Sequence, residues 1–412
     1  MKTRILPWLL ASVLALCLNS CGEVPEPDHT VPPSVEDKTP GKDIFYKGTT
    51  MCFASYLQDA GLKYREGGVE TDPYLSVSRH GGNCVRLQLD RVPFGSYKGV
   101  NVDWQTYKRV LADAKKARGR NLEIVLTLKP DSDKFESVPV NHNNLPDDWA
   151  SLNETQIGQK LYDWVFGQLA GLAEEGIYPA MVAVGNEVNL GFLKNRNVVD
   201  NSRTGRLLEY GFRAVRAYAE AYNPACLSVL HIADPGRAEE AVKAIEAAGG
   251  GDYDVLALSY YPGKDIGHSL PGGSFQALAK KFTKPLMVLE TAHTFTTGTK
   301  GGKWMGDWCD NSYNYPDWDD AHNAGNYTPA KARAWLRALA EDVKAAGGLG
   351  VITWGTESLP DELTGKEEGH GKGIYTYPAD WAYGSTWENN SYWDFTDSNN
   401  LHEGIDWMKD IK

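Results

Sequence analysis

Eight short apolar runs recur along the chain between residue 50 and residue 354, most of them followed by a polar, amphipathic stretch. The expected strands are Thr50–Ala54, Cys84–Leu89, Leu122–Leu128, Met181–Val184, Ser228–Ile232, Val255–Ser259, Leu286–Leu289 and Gly350–Trp354. Most are continuous runs rather than apolar–polar alternations, the pattern of parallel strands covered on both faces. Between them, Asp103–Arg118, Ile157–Glu175, Arg203–Tyr222, Ala238–Ala248 and Pro329–Ala346 repeat their apolar residues at helical spacing. Eight strands in this alternation predict an α/β fold, a closed (β/α)8 barrel. An open doubly wound sheet is the alternative, but no G-x-G-x-x-G turn follows a strand to support it. Two connections are too long for simple turns, Thr291 to about Tyr327 after strand 7 and Gly355 to about Asn399 after strand 8. They carry Trp304, Trp308, Trp318, Trp381, Trp387 and Trp393 and are expected to wall a groove on the active face.

The N-terminus follows a different rule. Lys2 and Arg4 precede an apolar stretch, Ile5 to Leu18, that is too short to span a membrane comfortably. Residues 1–20 are therefore expected to be a signal peptide. Leu18-Asn19-Ser20-Cys21 resembles a bacterial lipobox, which marks Cys21 for lipidation; ordinary signal cleavage is the alternative. Residues 21–41, with Pro25, Pro27, Pro32, Pro33 and Pro40, form a polar tether that cannot bury a core. Residues 42–412 remain for the barrel. A net charge of −12 argues against nucleic acid and for a neutral ligand. Cys52, Cys84, Cys226 and Cys309 show no C-x-x-C spacing, so zinc and redox chemistry are not expected, and buried free thiols are the plainer reading for the first three.

Two of the strands end on glutamates: Met181-Val-Ala-Val-Gly-Asn-Glu187 and Pro285-Leu-Met-Val-Leu-Glu290. A barrel presents its catalytic groups at the C-terminal ends of its strands. A single such Glu is ordinarily a structural ion pair. Two facing one cleft, about 5–5.5 Å apart, can cleave a glycosidic bond with retention. Glu187 is expected to be the acid/base, its pKa raised by burial or by the second carboxylate. Glu290 is expected to be the ionised nucleophile, supported by Arg86 and a tyrosine.

Val184-Gly-Asn-Glu187-Val-Asn189, Leu258-Ser-Tyr-Tyr-Pro262, Val288-Leu-Glu290-Thr-Ala292 and Gly384-Ser-Thr-Trp-Glu-Asn389 resemble the signature segments of glycoside hydrolase family 53. Lys47-Gly48, Gly68-Val69-Glu70 and Asn83-Cys-Val-Arg-Leu87 are similar to its opening, and Leu230-His231 and Gly348-Leu-Gly-Val351 to Trp354 to later strands. The resemblance runs in order from Lys47 to the C-terminus. It implies an endo-β-1,4-galactanase acting on type I arabinogalactan and pectin side chains. By it, Glu187 is the acid/base, Glu290 the nucleophile, and Arg86 the hydrogen-bond partner of the nucleophile. Tyr260 or Tyr261 would help to position Glu290, while Asn186, His231 and Trp354 would line the sugar subsites, Trp354 as the stacking platform.

The chain departs from the family in three places. An aromatic and histidine-containing stretch after the third strand is replaced by Leu126-Thr-Leu-Lys-Pro-Asp-Ser-Asp133. The family's Trp-Glu pair after strand 8 is Trp354-Gly355, and a tryptophan-rich segment after Asn189 is Leu190-Gly-Phe-Leu-Lys194. Some relatives hold a structural calcium ion in a long loop. Asp307 and Asp310, with Asp317, Asp319 and Asp320 nearby, are hard oxygen donors for one, or simply an acidic surface loop. No cofactor is required. Two other readings stand beside the galactanase: the same mechanism on mannan or glucan, and a lipoprotein that captures glycan without cutting it. A monomer tethered to a bacterial envelope, at the outer-membrane surface, completes the expectation.

Overall fold

The computed structural model describes residues 44–93, 95–97, 100–134, 141–195, 198–233, 235–261, 273–296, 299–300, 303–304, 327–359 and 388–412. Eight strands close into a parallel barrel: β1 Tyr46–Thr50, β2 Cys84–Asp90, β3 Glu123–Lys129, β4 Met181–Val184, β5 Leu227–Ile232, β6 Val255–Ser259, β7 Leu286–Glu290 and β8 Gly350–Thr353. Neighbours pair in chain order, and β8 returns to β1 through Tyr46 opposite Gly350. Seven strands stand where the apolar runs place them. The first does not: Thr50–Ala54 was the expected strand, but β1 ends at Thr50, and Ala54–Asp59 forms a short helix, α1. Tyr46-Lys-Gly-Thr-Thr carries little aliphatic character, so the pattern drew attention to the Met51–Ala54 run beyond it, which is buried as the chain turns into α1.

The remaining α-helices among the described residues are α2 Pro73–Arg79, α3 Tyr107–Arg118, α4 Glu154–Glu174, α5 Asn201–Ala221, α6 Ala238–Ala247, α7 Ser274–Ala279, α8 Pro329–Ala345 and α9 Trp407–Asp410. Their starts follow local chemistry. Asn153 and Gln156 make a reciprocal capping box at α4, satisfying two N–H groups that a helix start would otherwise leave open. Thr328 caps α8, whose first residue is a proline that has no N–H to lose. In α4, Ile157, Leu161, Val165, Leu169 and Leu172 form the stripe that is buried.

Two apolar layers result. One lies between barrel and helices. The other fills the barrel itself with Tyr46, Cys84, Val125, Met181, Ala183, Val229, Val255, Ala257, Met287, Leu289 and Ile352. Side chains alternate along a strand, so the residues two positions further on share this inward face. Those residues are polar: Arg86 after Cys84, Thr127 after Val125, His231 after Val229 and Ser259 after Ala257. The barrel is thus greasy below and polar at the C-terminal ends of its strands, where the chemistry was expected.

The last helix is fastened to the first strand. Lys47 Nζ donates to the carbonyls of Met408 (2.8 Å) and Ile411 (2.7 Å), where helix and chain are ending.

Candidate active site

Arg86 is the hub of the polar layer. It projects from β2 with its side chain fully buried, and each of its three guanidinium nitrogens donates a hydrogen bond. Nη1 donates to Glu290 Oε1 at 2.5 Å, Nη2 to Asn186 Oδ1 at 2.6 Å, and Nε to Thr127 Oγ1 at 2.9 Å. A planar fork of this kind fixes both distance and direction of a carboxylate, which an ammonium would not. Glu290, at the end of β7, is buried beside it. Strict alternation would send Glu290 to the face opposite Leu289. The register between β6 and β7 slips by one residue just there, pairing Leu258 with Val288 but Ser259 with Glu290, and Glu290 turns in toward Arg86. The Tyr261 hydroxyl stands 3.5 Å from Glu290 Oε2, whereas Tyr260 turns its hydroxyl to Ser274 Oγ at 3.0 Å. Of the two tyrosines, Tyr261 has the position suited to steadying Glu290.

Glu187 follows β4 on a turn that reverses handedness. Gly185 has φ +85°, and a Cβ there would meet the side chains of Val188 and Phe192 within 3 Å, so glycine is required twice over. Glu187 itself has φ 47° and ψ 52°, a left-handed conformation that costs a side-chain-bearing residue about 1–2 kcal/mol. Such strain is retained where the surroundings hold it, and it is common at functional sites. Glu187 N–H donates to His231 Nδ1 at 3.3 Å, so the ring proton sits on Nε2, which faces Ser259 Oγ at 3.0 Å. Burial, and then the Arg86 charge, hold His231 well below the usual histidine range, which keeps the ring neutral and able to accept. Asn186 links the two halves: its side chain accepts from Arg86, and the next residue is Glu187.

His231 has a defined place in this layer. The resemblance offered it as lining a sugar subsite; its inward position on β5 leaves it fully buried, with Nδ1 accepting from the backbone of Glu187. Trp354, at the end of β8, is 7% exposed, with the Arg86 guanidinium 5.7 Å from its ring centroid and Phe53 packed edge-on at 6.1 Å. Asn186 is half-buried.

Other expected residues have other positions. Trp393 is fully buried and packs against Tyr64, a core role. Cys52, Cys84 and Cys226 are buried free thiols. Cys21, Cys309, Asp307, Asp310, Asp317, Asp319, Asp320, Trp308, Trp318, Trp381 and Trp387 lie outside the described residues. Among the described residues, no group of three or more His, Cys, Asp or Glu could hold a metal ion.

Two residues near the site carry no signal in the sequence. Asn143, on a hairpin after β3, donates to the carbonyls of Asn186 (3.2 Å) and Gly191 (2.9 Å). Glu357, just beyond β8, is wholly buried; its Oε1 accepts from Cys52 N at 3.2 Å, while Oε2 has no hydrogen-bond partner among the described residues. Burial pushes its carboxyl up to about 8, with backbone hydrogen bonds and the Arg86 charge opposing. Nothing in the apolar pattern marks either, because both sit on connections whose contacts are set by the closed barrel.

The family model for glycosyl hydrolase family 53 matches residues 46–406. An arabinogalactan endo-beta-1,4-galactanase of Cellvibrio japonicus is 28% identical over 379 residues, covering 89% of this chain and 90% of that one. An endo-beta-1,4-galactanase of Bacillus subtilis is 28% identical over 259 residues, 61% of this chain and 57% of its own length. Among solved structures, the Ignisphaera aggregans GH53 catalytic domain superposes with a TM-score of 0.69 at 23% identity, covering 92% of this chain and 99% of that one. A structure from a study of two fungal beta-1,4-galactanases gives 0.67 at 18% identity, covering 89% and 100%. Both share the barrel.

Proposed function

The chain belongs to glycosyl hydrolase family 53, and from that premise we propose that it is an endo-acting, retaining β-1,4-galactanase that cuts galactan by double displacement. The carrying observation is the bridge made by Arg86, which binds the carboxylate of Glu290 on one side and the residue before Glu187 on the other. In this reading Glu290 attacks the anomeric carbon and forms a galactosyl ester, while Glu187 protonates the departing glycosidic oxygen. Glu187 then takes a proton from water, which attacks the same carbon and releases Glu290. Arg86 and Tyr261 hold the Glu290 carboxylate aimed at that carbon. No cofactor takes part, because both steps are proton and glycosyl transfers between carboxylates and sugar. The galactanase names of the relatives that align along most of this chain support galactan as the substrate.

The test is incubation of the protein with galactan, mannan and glucan, with products resolved by size over time. Early mixed galacto-oligosaccharides, and none from the other two, are the expected outcome. Cleavage of mannan or glucan would overturn the substrate; binding without cleavage of any glycan would overturn the enzyme.

The location is part of the same proposal. Lys2, Arg4, the Ile5–Leu18 run and Cys21 support a lipid-anchored envelope protein, with the Pro-rich stretch as its spacer and the outer-membrane surface as its site. Incorporation of labelled palmitate that is lost in Cys21→Ala, together with release of the domain by protease from intact cells, would support it. Unlabelled wild-type protein would refute the anchor.

A further inference from the structure

The peptide bond that enters Glu187 is gripped at both of its polar ends. Its N–H donates to His231 Nδ1 at 3.3 Å, and its carbonyl, on Asn186, accepts from Asn143 Nδ2 at 3.2 Å. The orientation of that peptide plane about the next bond is the φ angle of Glu187, which stands at 47°. A residue with a side chain does not settle there unaided. His231 supplies one grip from inside the barrel, steadied by Ser259. Asn143 supplies the other from outside it, on the hairpin formed by Ser132–Lys134 and Asn141–Asn144 after β3.

Several features suit Asn143 to this task. It is itself left-handed at φ 61°, a region asparagine tolerates better than most residues, and it is 4% exposed. Its amide gives a second hydrogen bond to Gly191 O at 2.9 Å, so one side chain spans the turn from Asn186 to Gly191 that carries Glu187. The hairpin is locked to the same turn by backbone: Lys194 N donates to Asn143 O at 2.8 Å, and Leu145 N to Lys194 O at 2.9 Å.

We propose that Asn143 is a positioning residue for the acid/base, holding the Asn186–Glu187 peptide so that the Glu187 carboxyl meets the glycosidic oxygen. This rests on the reading of Glu187 as proton donor.

The role separates from mere structural support by its dependence on the leaving group. Cleavage of galactan expels an alkoxide-like sugar oxygen and needs the acid, whereas expulsion of 2,4-dinitrophenolate does not. Asn143→Gly keeps the left-handed backbone and removes the amide; Asn143→Asp keeps the shape and replaces the donor by an acceptor. In either variant, kcat/KM on galactan is expected to fall roughly tenfold or more, short of the 10²–10⁴ that a general acid contributes. On 2,4-dinitrophenyl β-galactobioside, kcat/KM is expected to stay within about threefold, because that step bypasses the acid. Azide, which needs no general base, is expected to speed turnover of the aryl substrate. Equal losses on both substrates in folded variants, or no loss on galactan, would overturn the proposal. Thermal melts establish folding, and either variant alone suffices. Glu187→Gln, run alongside, must show the same split more deeply. If Glu187→Gln instead loses both substrates equally, the assignment of the acid fails, and the positioning role falls with it.

Discussion

Glu357→Gln removes an ionisable proton from the interior while keeping the volume of the side chain, which makes its effect calculable. The wild-type carboxyl is wholly buried and titrates near 8, against 4.5 for the free side chain. Between those values the folded protein binds one more proton than the unfolded chain. The group's contribution is therefore fully present below pH 4.5 and is lost as pH rises toward 8. The slope is about 1.4 kcal/mol per pH unit. From pH 5 to pH 8 the loss amounts to about 4 kcal/mol in the wild type, and glutamine has no such term. Any fixed cost of the new amide, whose Nε2 replaces an oxygen that has no partner among the described residues, cancels in the difference between the two pH values. For a domain of this size, a change of about 4 kcal/mol corresponds to about 5 °C in melting temperature. Urea or thermal unfolding of both proteins at pH 5 and pH 8 measures it. The Gln variant is expected to gain on the wild type as pH rises. Parallel pH dependences would show that Glu357 does not carry a buried proton, and would refute the reasoning.

Arg86→Lys should keep a positive charge but lose the fork that reaches Glu290, Asn186 and Thr127 together. One or two lost charge-assisted bonds imply a drop in kcat of roughly 10- to 100-fold, read by steady-state kinetics on galactan. An unchanged kcat would remove Arg86 from the machinery. Lys47→Met should release the chain end held through Met408 and Ile411, costing about 1.5–3 kcal/mol in denaturant unfolding with little effect on kcat. A variant as stable as the wild type would show that this clasp contributes nothing.

The barrel was legible because its strands are continuous apolar runs and its long helices are amphipathic, two signals that survive in a linear reading. β1 was displaced because Tyr46–Thr50 is carried by glycine and threonine, whose inward fit depends on neighbours such as Cys84. The strand-end positions of Glu187 and Glu290 were legible because each closes a buried apolar run. The supporting residues were less so. The resemblance offered His231 as a sugar ligand and said nothing of its burial; the closed barrel shows it turned inward beneath the Glu187 turn. Asn143 and Glu357 gave no periodic or motif signal at all. Their roles arise from contacts with Asn186 and Gly191 in one case, and with Cys52 in the other.

The central claim is that Glu290 attacks the sugar while Arg86 holds it. Glu290→Ala, assayed on 2,4-dinitrophenyl β-galactobioside with and without azide, tests it most directly. With the nucleophile gone, hydrolysis should fall by several orders of magnitude, and azide entering the vacated face should restore turnover as the α-galactobiosyl azide. Hydrolysis near the wild-type rate, or rescue that yields only the β-azide, would contradict it.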